Sequence, residues 1–179
     1  MEGNLIEQFV EKKALDAMNT LVNTQSDDEA VSAAITVSQA FGESEPFKSI
    51  ADVKTGMGQK LTLSFQRNLE LLIQKTWVEK SDEDLKAQVQ LQLNEFCKNL
   101  ETHSYQKAYT PFFSIVDNVV YLMFGSQTKS KEFAEYALRI DPEFGIFWWY
   151  MQNLPRTAAW SEPKSRIAIM LGMYFLANY

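Results

Sequence analysis

Apolar residues in this chain return every three or four positions, over long stretches that neither glycine nor proline interrupts. Leu85, Val89, Leu93, Phe96 and Leu100 follow at steps of 4, 4, 3 and 4, and Ile6, Val10, Ala14, Ala17 and Leu21 repeat the same steps. That period puts the side chains on one face of an α-helix. Seven Gly and five Pro in 179 residues leave little turn material for an all-β fold of many short strands. The spacing therefore predicts an all-α fold, a bundle or irregular array of about seven to eight helices. The length suits a single domain over residues 1–179.

Helix signals punctuate the chain. The first helix is expected from Asn4 to Val22. Ser26 and Glu29, three apart, form a capping box that opens a second helix with Ala30, Ala34, Val37 and Phe41 on one stripe, ended by Gly42. An irregular connector is expected near residues 42–60, which hold Pro46, Gly56 and Gly58. Within it Ser44-Glu45-Pro46 has the chemistry to start a short helix through Val53. The stretch Lys54–Lys60 lacks the spacing of a phosphate-binding loop and follows no strand. Leu61–Val78 reads as a helix with two apolar faces. Ser81 caps the next. Ala87–Leu93 alternates like a strand, but the helical pattern around it runs for about five turns, which favours helix. Thr110-Pro111 reads as the N-cap and first position of a helix ending at Gly125. The β-branched residues of 112–124 leave a strand as the alternative, and the shared arc of Ser114, Asp117 and Asn118 favours helix. Ser130 or Thr128 caps the following one, and Ser161-Glu162-Pro163 opens the last.

The stretch from Lys131 to Trp160 concentrates aromatic area. It carries three of the four Trp, with Phe133, Tyr136, Phe144, Phe147 and Tyr150. Asp141 and Pro142 start a helix on which Phe144, Phe147, Trp148 and Met151 share one face. Ile146, Trp149 and Tyr150 fall off that face. So much ring area either forms the heart of a core or presents a surface to a partner. On the second reading Trp149, Tyr150 and Trp160 are exposed anchors for a protein partner or for self-association, because Trp and Tyr dominate binding hot spots. The alternative is a small apolar ligand held in an aromatic pocket lined by Phe112, Phe113, Phe147 and Trp148.

Other chemistries find little support in the sequence. The net charge is −6 and the pI about 4.9, which disfavours nucleic acid and anionic membrane surfaces as main partners. Arg156, Lys164 and Arg166 could make a local basic patch, or simply solvate the start of a helix. The apolar run Ile167–Ala177 falls short of the roughly 20 residues that span a bilayer. The acidic N-terminus lacks a signal-peptide pattern, so a cytoplasmic location is expected. One cysteine, Cys97, excludes an intrachain disulfide. Cys97 and the sole histidine, His103, are six apart and share no helix face, though a turn could still pair them. With no further Cys or His a zinc site lacks ligands, a carboxylate-only Ca²⁺ or Mg²⁺ site is left without an EF-hand loop to support it, and no metal or cofactor is expected. Carboxylates are too abundant to point to a catalytic pair. The expected function is therefore a non-enzymatic adaptor or assembly domain.

Tyr109–Met151 resembles one tetratricopeptide-type helical hairpin and the start of a second. In register with that repeat of about 34 residues stand Tyr121, Gly125, Ala137, Leu138, Ile140, Asp141 and Pro142, then Trp148 and Met151. Asn118 and Gln152 depart from it at positions that are usually small. Ser130 and Ala134 depart as well, Pro155 interrupts the next unit, and no earlier copy precedes this one. The resemblance implies an all-helical scaffold that binds peptides or proteins.

Overall fold

The computed structural model describes residues 2–41, 64–72, 83–102, 104–157 and 160–179. Among them the chain is all-helical, without strands. The helices are α1 (Glu2–Phe9), α2 (Lys12–Asn23), α3 (Asp27–Ser38), α4 (residues 64–72), α5 (Glu83–Glu101), α6 (Tyr105–Phe124), α7 (Phe133–Ile140), α8 (Pro142–Asn153) and α9 (Glu162–Asn178). Short 3-10 turns cover Gln39–Phe41 and Gly125–Lys129. Both stretches with a strand alternative, 87–93 and 112–124, are helical. The connector near 42–60, the Ser44 and Ser81 caps and His103 lie outside the described residues.

Two helix starts differ from the sequence reading. Asn4–Val22 is two helices, because Glu11 adopts an extended backbone (φ −63°, ψ 147°) and becomes the N-cap of α2. No glycine or proline marks this break. On either side of the break the packing differs: α1 lies against α7 and α8, while α2 pairs chiefly with α3 and also touches α8. The helix expected from Thr110-Pro111 instead begins at Tyr105 and carries Pro111 inside it. Its cap comes from far along the chain. The Glu162 carboxylate accepts the N–H groups of Tyr105 (2.7 Å) and Gln106 (3.2 Å).

Other caps follow local chemistry. Ser26 Oγ accepts from Glu29 N (3.3 Å). The return half of the box is relayed: Ser26 N donates to Thr24 Oγ1, which donates to Glu29 Oε2 (2.7 Å). Asp141 Oδ1 accepts from Phe144 N, and Ser161 Oγ from Lys164 N. Neither Thr128 nor Ser130 caps α7 as an N-cap; Glu132 takes that position without a side-chain bond.

One contiguous buried cluster draws on every helix from α2 to α9. α9 runs through it, with Ile167–Met173 buried throughout. Rings stack across the helices: Phe147 on Phe175 at 4.5 Å and Phe96 on Phe112 at 5.5 Å. α4 offers Phe65 and Leu69 to this core, while Leu71, on the second apolar face, is exposed. Asn68 of α4 donates to the Leu176 carbonyl near the end of α9.

Two glycines allow close helix approach. A Cβ on Gly145 would stand 2.7 Å from Leu138 Cα, and one on Gly172 would stand 2.8 Å from the Phe112 ring. Backbone cannot step aside as a ring edge can. After the gain of about 1 kcal/mol in helix propensity, we expect Gly145→Ala to cost a net ~1–2 kcal/mol, the usual range for overpacking. Gly172→Ala should cost less. Urea unfolding checks both, and Gly145→Ala at wild-type stability would mean that α7 and α8 separate freely.

Candidate functional site

The aromatic segment is mostly interior. The face Phe144, Phe147, Trp148 and Met151 is buried as its spacing predicts. Tyr150, expected as an exposed anchor, is instead fully buried (0% exposed). Its hydroxyl donates to the Ala168 carbonyl of α9 (2.6 Å), and its ring meets Phe41 edge-on. That bond removes the cost of burying a phenol. Burial also raises the Tyr150 pKa well above the ordinary tyrosine value.

Trp160 is half-buried and engaged within the chain. It packs on Tyr109 (5.3 Å between ring centres), and the Lys164 ammonium lies 4.6 Å from its ring centre. The Trp160 carbonyl accepts from the Gln106 side chain, and the Tyr109 hydroxyl donates to the Pro155 carbonyl. Lys164 itself is buried. Its Nζ donates to the carbonyls of Val22 (3.0 Å) and Thr24 (2.8 Å), closing the C-terminal end of α2. Burial holds its ammonium below the ordinary lysine range, with Asp27 opposing the shift. Ser161 donates to Asp27 at the start of α3. The three residues of the expected basic patch are thus committed separately. Arg156 pairs with Asp117, Lys164 closes α2, and Arg166 contacts Met170 Sδ and the Tyr105 ring.

The third expected anchor, Trp149, is half-buried and packs against the core cluster from α8. The four rings of the expected ligand pocket make separate contacts among the described residues. Phe112 and Phe147 stack on other core rings, and Phe113 carries the Arg156 guanidinium at 4.6 Å. Trp148 alone of the four lines a described cleft.

That cleft is the candidate site. It has a volume of about 460 Å³ and is lined by Leu85, Asp117, Asn118, Tyr121, Thr128, Lys129, Trp148, Gln152 and Arg156. Leu85 comes from α5, the next three from α6, Thr128 and Lys129 from the 3-10 turn, and Trp148 and Gln152 from α8. Trp148, Tyr121 and Leu85 supply apolar area, and two carboxamides and three charged groups surround it. Arg156 Nη1 donates to Asp117 Oδ2 at 2.7 Å. The Lys129 ammonium stands 5.7 Å from the Tyr121 ring centre. Asn118 Nδ2 donates to Gln92 Oε1 (3.1 Å), and Gln92 Nε2 to Ser114 Oγ (3.0 Å), so a polar ladder braces this wall from α5. Trp149 stands three residues before Gln152 on the same helix and is not itself among the lining residues.

Sequence reasoning did not collect these residues as a site. One signal was present: Asn118 and Gln152 are the two amides that break the repeat pattern, and both line the cleft.

A second groove, of about 630 Å³, lies between α2 and α3 and is lined by Lys13, Asp16, Ala17, Thr20, Asp28, Glu29, Ser32, Ala33 and Thr36. Among the described residues no cluster of three or more His, Cys, Asp or Glu could hold a metal ion. None of the described helices is long and apolar enough to cross a membrane. No family model matches the chain, and no curated protein or solved structure matches it either.

Two measurements check this local chemistry. Lys164→Met strands two carbonyls at the end of α2, so urea unfolding should show a loss of about 1–3 kcal/mol; an unchanged midpoint would remove Lys164 from its structural role. Burial, reinforced by Glu101 and Glu70, pushes the Cys97 thiol up to about 11 from 9.0. At pH 8 its thiolate fraction then falls roughly a hundredfold. Iodoacetamide should accordingly modify native Cys97 about a hundred times more slowly than the urea-unfolded chain. Equal rates would place the thiol in water.

Proposed function

We propose that this chain is a non-enzymatic helical interaction domain that holds an extended segment of a partner protein in the cleft between α6 and α8. One observation carries this reading: the cleft combines apolar area from Trp148, Tyr121 and Leu85 with the carboxamides of Asn118 and Gln152. A carboxamide has the same donor and acceptor as a peptide group, so it pairs with an extended backbone whatever its sequence. The rings supply apolar area that is rigid and loses little entropy on binding. A volume of about 460 Å³ suits a few side chains. Gln152 is exposed and makes no hydrogen bond among the described residues, so its amide is available to a ligand. Trp149 extends the contact beyond the cleft. The tetratricopeptide-like phrasing of Tyr109–Met151 agrees with peptide binding and supports the same reading.

A peptide-display selection against the full chain tests it. Selected peptides should lose about tenfold in affinity, roughly 1.4 kcal/mol, when Tyr121→Ala or Gln152→Ala is introduced, with unchanged far-UV circular dichroism. Peptides that bind both variants as tightly as the parent chain would remove the cleft from the proposal. Light scattering over a concentration series separates a foreign partner from a second copy. In the second case the mass should rise with concentration, and Gln152→Arg should abolish the rise.

A further inference from the structure

We infer that the segment this cleft takes is acidic, and that it seats an Asp or Glu carboxylate against Lys129 and Arg156. The inference rests on the interaction reading and adds the chemistry of the partner.

Charge is distributed against the trend of the chain. The whole protein carries 23 acidic and 17 basic residues, for a net charge of −6. The cleft reverses that balance: its charged lining is Lys129, Arg156 and Asp117, two cations and one anion. Asp117 is already engaged by Arg156 at 2.7 Å, so its field is largely spent. Lys129 pairs with no carboxylate among the described residues. Its recorded partner is the Tyr121 ring, 5.7 Å away, which attracts a cation weakly at an exposed site. Arg156 uses Nη1 for Asp117 and rests its guanidinium over Phe113 at 4.6 Å. The ring steadies the planar group, which has five N–H donors and one recorded acceptor. A carboxylate beside it therefore meets a prepared donor on one side and a solvated ammonium on the other. An apolar neighbour in the same segment finds Trp148 and Leu85. A basic segment would find Asp117 occupied and the Lys129 ammonium opposing it.

The peptides selected as above decide the point. Each Asp and Glu is replaced in turn by Asn and Gln, and affinity is read by fluorescence anisotropy at low and high salt. We expect one acidic position whose neutralisation weakens binding about three- to tenfold, the range for partly exposed charge pairs. Lys129→Ala and the stem-preserving Lys129→Gln should give the same loss, and in either variant the peptide substitution should lose its effect. The loss should shrink at high salt. Asp117→Asn frees Arg156 and should tighten binding, whereas a loss there would mean that the cleft recognises a cation. Peptides that depend on Tyr121 and Gln152 but ignore charge, or that bind Lys129→Ala unchanged, overturn this inference and leave the interaction reading intact. Selections that yield no cleft-dependent peptide overturn both.

Discussion

Four consecutive residues, Ser161 to Lys164, hold the ends of three other helices. Glu162 caps α6, Lys164 closes the last carbonyls of α2, and Ser161 reaches Asp27 at the start of α3 while capping α9 itself. Helix ends leave several backbone groups without partners, and a buried orphan costs about 1–3 kcal/mol. Meeting these demands from one turn fixes where α9 enters the structure. Because α9 is apolar on nearly every side, its entry point sets the geometry of everything packed around it. At the far end Asn68 takes the Leu176 carbonyl and Tyr179 donates to Asp141, so both ends of the central helix are tied.

This junction also decides the fate of the aromatic side chains. Trp160 immediately precedes the turn, and its ring is pinned between Tyr109 and the Lys164 ammonium. Tyr150 faces α9 with a carbonyl within reach of its hydroxyl, so a ring that falls off the main apolar face of α8 is buried with its polar group satisfied. A helix packed on several sides has no outer face for most of its rings to occupy. Of the rings of α8, Trp148 lines the cleft of mixed chemistry, and Trp149 is half-buried against the core.

The sequence disclosed the parts of this structure that depend on local chemistry. Periodicity located α5, the buried face of α8 and the apolar centre of α9, and Ser26, Asp141 and Ser161 marked helix starts correctly. It failed where a distant residue supplies the missing partner. Nothing near Tyr105 advertises a cap, because Glu162 lies 57 positions away. The same distance effect misassigned Pro111, which tolerates a place inside α6 once the real start is secured upstream. The break at Glu11 has no local signature either; on its two sides α1 packs on α7 and α8, and α2 chiefly on α3. Tyr150 was misplaced because a helical projection shows which face is most apolar, not how many helices surround it. Among the cleft residues, the amides at 118 and 152 were visible as departures from a pattern. The ion pair of Asp117 and Arg156 joins positions that no spacing rule connects.

Why the cleft stays open follows from the same balance. Apolar walls close on one another, since burying their area is favourable by about 25 cal/mol per Å². Walls that carry amides and charges gain nothing comparable, because their polar atoms would need partners on closing. Asn118 is held back towards α5 by the Gln92–Ser114 ladder, and Arg156 is held flat on Phe113 and tied to Asp117. Asn118 is thus anchored towards α5, while Arg156 ties the segment after α8 across to α6. A cleft braced in this way loses little order when a ligand enters, so more of the contact energy appears as affinity. On the interaction reading proposed above, rigidity of this kind would limit a ligand to groups that match polar positions already fixed, and the charge at the rim would bear on the choice between partners.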